Sequence, residues 1–300
     1  MDMIQNKCCR HGANLRRRRR RRRKILRSII FSCSIIAVAV FVAVGSRMIT
    51  SGDGGTNKYD VEAGNNTYDN AVIENSKISE KNKIQNNQSM LDDIMNSTQY
   101  PKQLKELALK NEEALEFVYD YPAEHVKEHT IDLTEEASMD SVPLFVQWDK
   151  RWGYEKYSGN FFAASGCGPT TLSMVVVYLT HNRDASPIAV AKYSKEAGYS
   201  VDGSGSSWTL ISEGCMHYGV KAKAVALDES RMKAELDEGH PIVVNVGPGD
   251  FTDTGHFMVI TGYDDEGFSI NDPNSIEKSG KRWLFRNISS QIRAVWSMYV

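Results

Sequence analysis

The 300-residue chain has few cysteines and no pair arranged for cross-linking. There are five, none in C-x-x-C spacing, which excludes a disulfide scaffold and a zinc-ribbon module. Basic charge is scarce once the N-terminus is set aside. Residues 1–27 carry twelve Lys and Arg against one acid, Asp2, so the remaining chain holds −13 of a formal net charge of −2. Such a chain is no nucleic-acid reader, because affinity for phosphates comes mostly from Lys and Arg displacing counterions. The glycine-rich run Gly203-Ser204-Gly205-Ser206-Ser207 lacks the Lys of a phosphate loop, and is read instead as a loop in which Ser206 or Ser207 caps the next helix. From about residue 46 to 96 apolar residues are too few to bury a core, and Asn, Ser, Asp and Gly predominate.

One stretch has no charge at all. Residues 28–46 are rich in Ile, Val, Phe and Ala, and 19 residues at 1.5 Å each nearly cross a hydrocarbon core of about 30 Å. Eight consecutive arginines (Arg16 to Arg23) precede it and only Arg47 follows directly, which predicts a cytoplasmic N-terminus and an outward C-terminal region. Ala43-Val44-Gly45 would suit signal cleavage, but the long charged leader and the apolar length favour retention. Cys33 is no lipoprotein acceptor, since Phe31 fills a position that needs a small residue; Cys8 and Cys9 read as free cytoplasmic thiols. The expected organisation is a cytoplasmic segment at 1–24, a membrane anchor at 25–46, a disordered stalk at 47–97, a helical segment at 98–137 and a globular domain at 138–300.

Within the helical segment, Pro101 suits a first turn, and Leu104, Leu107, Ala108, Leu115 and Val118 follow at helical spacing until Tyr121-Pro122 stops the run. His125-Val126-Lys127-Glu128-His129 matches the H-x-x-E-H signature of inverted zincins. It lacks the apolar helix such a site needs and reads as a solvated surface, so no metal is expected.

Cys167 opens a helix. After Ser165-Gly166-Cys167-Gly168-Pro169-Thr170-Thr171 come Leu172, Val175, Val176 and Leu179, an i, i+3, i+4, i+7 face ending near Asn182. Free N–H groups and the dipole at a helix start stabilise a thiolate, and the flanking glycines leave room for an approaching carbonyl. A buried structural cysteine is the alternative. Further on, Gly255-His256-Phe257-Met258-Val259-Ile260-Thr261 and Gly267-Phe268-Ser269-Ile270-Asn271-Asp272-Pro273 read as two strands around Asp264-Asp265-Glu266. Paired as a hairpin with positions summing to about 528–530, they set His256 opposite Asp272 or one step away. A carboxylate beyond the ring fixes its tautomer and stabilises the imidazolium, as a base that activates a thiol requires.

These residues resemble a known family. V-P-L-F-V-Q-W-D-K-R-W from Val142, G-C-G-P-T-T around Cys167, G-H-F-M-V-I-T-G-Y from Gly255 and N-D-P at Asn271 are similar to the C39-like cysteine peptidases of the papain-like superfamily. The resemblance covers about half the chain. It implies Cys167 as nucleophile, His256 as general base and acid, Asp272 as the residue orienting His256, and Gln147 as side-chain donor of the oxyanion hole. Gln147 lies twenty residues before Cys167, where papain-like enzymes commonly have about six, so it must reach the site through an intervening loop.

The expected architecture is α+β: helices carrying Cys167 and residues 208–218 packed on an antiparallel sheet made from 221–226, 241–246, the His256 and Asp272 strands and the C-terminal strands. The expected function is a membrane-anchored, extracellular, bacterial cysteine peptidase acting through a thioester on a peptide or protein substrate, with no metal or organic cofactor. Two alternatives remain: a catalytically silent papain-like binding module at the cell surface, or a cell-wall amidase or transpeptidase using the same triad. Cys215 shares a helical face with Trp208, Ile211 and Tyr218 and reads as core. His181, His217 and His240 read as capping, surface or loop residues.

Overall fold

The computed structural model describes residues 66–300, with side chains from residue 81. The cytoplasmic segment, the expected span at 25–46 and the first part of the stalk lie outside the described residues. Among the described residues no helix is long and apolar enough to cross a membrane. The chain divides into Met1–Asp69 and Asn70–Val300; the sheet, its surrounding helices and the candidate site all belong to the second unit.

The fold is a mixed helix and sheet structure. Two small hairpins, β1 (Lys156–Tyr157) with β2 (Asn160–Phe161) and β3 (Ser200–Val201) with β4 (Gly205–Ser206), precede the main strands. These are β5 (Lys221–Ala224), β6 (Ile242–Val246), β7 (His256–Asp264), β8 (Gly267–Asn271), β9 (Arg282–Trp283) and β10 (Ile292–Tyr299). They form one antiparallel sheet in the order β5-β10-β6-β7-β8-β9.

Alternation along the strands explains why both faces are covered. Val243, Phe257, Val259, Trp296 and Met298 pack with Leu172 and Met174 to Val177 of the Cys167–Thr180 helix. Their neighbours Ile242, Val244, Met258, Ile260 and Ile270 pack on the other side with Met232 and Leu236 of the Glu229–Asp237 helix. β6, central in the sheet, is therefore apolar at four of its five positions, with Asn245 the exception. Ser186 caps the Pro187–Glu196 helix through Ala189 N–H, with Pro187 in the first turn, and Asp228 caps the Glu229–Asp237 helix through Arg231 N–H.

Three expectations change. Where the stalk was to be disordered, Asn66–Asn96 is a helix of 31 residues. That stretch has no Gly or Pro, and its last turns supply Met90, Leu91 and buried Ile94 to a cluster with Leu104, Leu107, Leu115, Phe117 and Val118. The single helix expected over the following residues breaks at Asn111 into Lys102–Lys110, a 3₁₀ turn at Glu112–Ala114, and Leu115–Tyr119. Asn111 is extended and its side chain accepts from Glu113 N–H, so it ends one helix and caps the next turn; Pro122 starts the Tyr121–Glu124 turn. The expected 208–218 helix is likewise two pieces, Thr209–Ser212 and a 3₁₀ helix at Gly214–Tyr218. Trp208 is exposed and meets Trp296 edge-on, while Cys215 and Ile211 are buried. Ser207, not Ser206, accepts from Thr209 N–H.

The β7–β8 turn is two residues, Asp265 and Glu266, with Asp264 Oδ1 accepting from Glu266 N–H at 3.0 Å. Asp264 pairs with Gly267, and the register slips by one between Ile260 and Gly262, so Val259 faces Asn271. The pairs nearest the site sum to 530, the upper end of the expected range, which sets Asp272 two residues from the position opposite His256. Gly267 has φ +134°, and a Cβ there would lie 2.6 Å from the Trp283 carbonyl carbon and oxygen of β9. Gly267→Ala is expected to lower the unfolding free energy by about 1–3 kcal/mol. An unchanged midpoint in chemical denaturation would contradict this contact.

Candidate active site

The Cys167–Thr180 helix begins at the cysteine itself, directly after the short Phe162–Ser165 helix. Gly166 joins the two: its N–H donates to Phe162 O at 2.7 Å and its carbonyl accepts from Thr170 N–H at 3.0 Å. The flanking glycines are required by packing. A Cβ on Gly166 would strike the Phe162 ring at 2.6 Å, and one on Gly168 would strike Ser206 Oγ at 2.6 Å. The room that the sequence suggested for a substrate is thus used by the fold. Ser206 is itself held by Tyr157 Oη at 2.6 Å.

One polar contact ties this helix to β7 and a second ties β6 to β7. Thr171, one turn after Cys167, donates through Oγ1 to Phe257 O at 3.1 Å. Asn245 of β6 donates to His256 O at 3.2 Å. The carbonyls of His256 and of the residue after it are therefore fixed before the ring is considered, and the ring is brought to the helix start.

His256 lies between Cys167 and Asp272. Nε2 is 2.7 Å from Asp272 Oδ1, in a pair where both side chains are buried, and the ring is also coupled to the Cys167 side chain by charge and hydrogen bonding. Burial disfavours the thiolate. The hydrogen bond and charge of His256, with the N–H groups of Phe257 and Gly168, outweigh it and hold the half-buried Cys167 thiol below its ordinary 9.0. For His256, burial opposes the charged form, but the charge and hydrogen bond of Asp272, then Cys167, raise its pKa above the ordinary 6.5. The two groups thus move toward each other and favour thiolate beside imidazolium. Buried Cys215 goes the other way: desolvation pushes its thiol up to about 11.

Asp272 does not lie in β8 but in the turn after it. Its Oδ1 also accepts from Asn274 N–H at 2.8 Å, and its N–H donates to Ser279 Oγ at 2.9 Å. Its Oδ2 is buried without a hydrogen-bond partner among the described residues. The diagonal displacement from His256 is closed by this turn.

Gln147 is buried on the segment that leads into the domain. Its backbone N–H donates to Pro273 O at 2.7 Å, and Asn271 Nδ2 donates to Val142 O at 3.1 Å and Pro143 O at 3.0 Å. The segment is thereby tied to the Asp272 turn. Gln147 Nε2 donates to Ala163 O at 2.7 Å, four residues before Cys167, and its Oε1 is buried with no partner among the described residues. One Nε2 proton is committed to Ala163, leaving the second.

The other singled-out residues lie in plainer settings. His125 Nδ1 is 2.5 Å from Tyr121 O and its ring stacks on Tyr121, while His129 Nε2 is 3.2 Å from Glu124 O. His181 ends the Cys167 helix in the left-handed conformation and reaches Ala137 O at 2.7 Å. His217 stacks on Tyr193, and His240 meets Glu235.

Sequence reasoning missed Thr171, Asn245, Asn274 and Ser279. Two had a usable signal: Asn245 is a lone amide in the apolar run Ile242-Val243-Val244-Asn245-Val246, and Asn274 follows Asp-Pro where an Asx turn is favoured.

Among curated proteins, none matches the chain. The peptidase domain of Streptococcus ComA, described as a bi-functional ABC transporter involved in a quorum-sensing pathway, aligns at 19% identity over 53% of this chain and 96% of its own, with a TM-score of 0.38. A putative C39-like peptidase from Bacillus anthracis aligns at 18% identity over 53% of this chain and 95% of its own, with a TM-score of 0.33. The sequence profile of the Peptidase_C39 like family matches residues 139–300, more than half of the chain and all of the sheet, and the chain belongs to that family.

Proposed function

We propose that the protein is a cysteine peptidase that hydrolyses peptide or protein amides through a thioester at Cys167. The observation that carries this reading is the buried His256 ring, 2.7 Å from Asp272 through Nε2 and coupled to Cys167 at the start of its helix. Cys167 Sγ attacks the amide carbon as thiolate and the C–S bond forms, placing negative charge on the carbonyl oxygen. Gln147 Nε2, with its second proton, and the Cys167 backbone N–H act as oxyanion donors. As the C–N bond breaks, Nδ1–H of His256 protonates the leaving amine. Water then gives a proton to His256 while its oxygen attacks the thioester carbon; the C–S bond breaks, the acid leaves, and the proton returns the pair to its starting state. Throughout, Asp272 holds the ring and its tautomer. Each step uses protein groups and water.

The placement we propose is a single-pass membrane anchor with this domain outside the cell. Its support is the uncharged run within 25–46 behind eight arginines. Protection of residues 98–300 from protease added to intact cells would exclude it; digestion is expected.

Cys167→Ala is expected to reduce peptide turnover by at least about 10⁴-fold with the thermal midpoint little changed. Turnover retained in that variant would remove the thioester mechanism, and wild type that binds peptides without cleaving them would point to a silent binding module. Turnover should follow a bell in pH. It rises as the lowered Cys167 thiol ionises, and it falls where His256, raised above 6.5, loses its proton. In His256→Ala, iodoacetamide labelling of Cys167 should move to higher pH, toward 9.0; an unmoved profile would mean that His256 does not set the thiolate.

A further inference from the structure

We propose that the segment 102–124, which lies outside the family match, is a positioning element of the active site, acting through Asn111 and Glu113 on the turn that carries Asp272. The inference rests on Cys167, His256 and Asp272 being the reacting set.

Three groups of that turn donate to the Glu113 carboxylate. Ser275 Oγ donates to Oε1, and the N–H groups of Ile276 and Glu277 donate to Oε2 at 2.7 and 3.1 Å. The Ile276–Ser279 helix is a single turn, and without Glu113 two of its opening N–H groups lose their partner. Asn111 holds the preceding residue: its Nδ2 donates to Asn274 O at 2.9 Å and to Asn274 Oδ1 at 3.0 Å. The two clamp residues are locked together by Glu113 N–H donating to Asn111 Oδ1 at 3.0 Å.

What they hold is one bond from the reacting groups. Asn274 N–H donates to the same Asp272 Oδ1 that accepts from His256 Nε2. A shift of Asn274 therefore moves the oxygen that aligns the ring. The domain's own ties to the turn include Gln147 N–H on Pro273 O, a longer bond of 3.3 Å from Trp148 Nε1 to Asn274 O, Trp283 Nε1 on Lys278 O at 3.0 Å, and the local bonds of Ser275 and Ser279. None of these engages the N–H groups of Ile276 and Glu277, which Glu113 gathers, while Ser275 Oγ donates to Glu113 and accepts from Lys278 N–H at 3.1 Å.

The segment supports the cysteine side as well. Leu104, Leu107, Leu115 and Phe117 cluster with Phe161 and Ala163, in the stretch that runs into Cys167. Phe117 O accepts from Tyr154 Oη at 2.8 Å. One segment thus braces the approach to the nucleophile by apolar packing and the orienting carboxylate by hydrogen bonds. The polar clamp borders an open cleft of about 870 Å³, so changes to Asn111 or Glu113 admit water and leave the apolar cluster intact.

The test uses the full chain, with alkylation of Cys167 by iodoacetamide followed by mass spectrometry across pH, alongside peptide turnover. In Glu113→Gln and Asn111→Ala, the Cys167 profile should move to higher pH. Since misplacing a reacting group by about 1 Å costs about 100-fold, kcat should fall about 10- to 100-fold with KM little changed. Glu113→Asp, which keeps the carboxylate, should recover part of the loss. Glu106→Gln, which removes an exposed carboxylate from the same segment, should change neither reading. Lowered thermal midpoints with unmoved Cys167 profiles and full kcat would overturn the proposal, leaving the clamp a structural tie only. If Glu113→Gln does not fold, Asn111→Ala decides by the same readings. A wild-type chain without turnover would instead overturn the peptidase reading, and the alkylation profiles would still decide the clamp.

Discussion

The His256 imidazole is shared between a thiol and a carboxylate, and the surrounding structure holds it between them. Burying two ionisable partners of a cysteine costs free energy unless each charge is matched by an opposite charge and hydrogen bonds. Here Asp272 matches the imidazolium, His256 matches the thiolate, and N–H groups of Phe257 and Gly168 add to the stabilisation of Cys167. Such an arrangement works only at hydrogen-bond distances, so the fold has to bring together a helix start, a strand start and a turn that are far apart in the chain.

Backbone carbonyls serve as the anchor points. Thr171 links the Cys167 helix to Phe257, Asn245 links the neighbouring strand to His256, and Gln147 N–H links the entering segment to Pro273. Each uses a polar group in a largely apolar setting, where an unpaired donor or acceptor is costly and position is therefore strongly specified. The glycines around Cys167 serve the same end, since the close approach of Phe162 and Ser206 to the chain leaves no volume for a side chain.

Residues 139–300 carry the family match, yet the tethers of the Asp272 turn extend beyond them to Asn111 and Glu113. The helical segment before the domain is thus joined to it by two kinds of contact: an apolar cluster around Phe161 and Ala163, and a polar clamp around Asn274 to Glu277. This joins the approach to Cys167 and the turn after β8 into one supported unit.

Much of this was legible in the chain because it depends on local pattern. The apolar face after Cys167, the strand runs of β6 and β7, the Asp-Asp-Glu-Gly turn and the buried placement of Cys215 follow from periodicity, apolar runs and turn chemistry, which act over a few residues. Cys167, His256 and Asp272 were legible as an ordered set because a thiol at a helix start and an imidazole facing a carboxylate are recognisable chemistry, and Gln147 entered only through the family resemblance. Geometry was not. Pairing of Asp264 with Gly267 leaves Asp272 short of the position opposite His256 even after the slip at Thr261 brings it one residue closer, and the turn through Asn274 places its carboxylate on the ring. Likewise the Asn66–Asn96 stretch carries no helical pattern strong enough to predict itself; its last turns are held by Ile94 packing against residues that follow it. The sequence by itself determined which side chains can do chemistry and which strands and helices carry them. Only tertiary structure decided how those elements meet, because a bulge, a break at Asn111 and a clamp across some 160 residues are settled by packing and by the pairing of buried polar groups, which no local window contains.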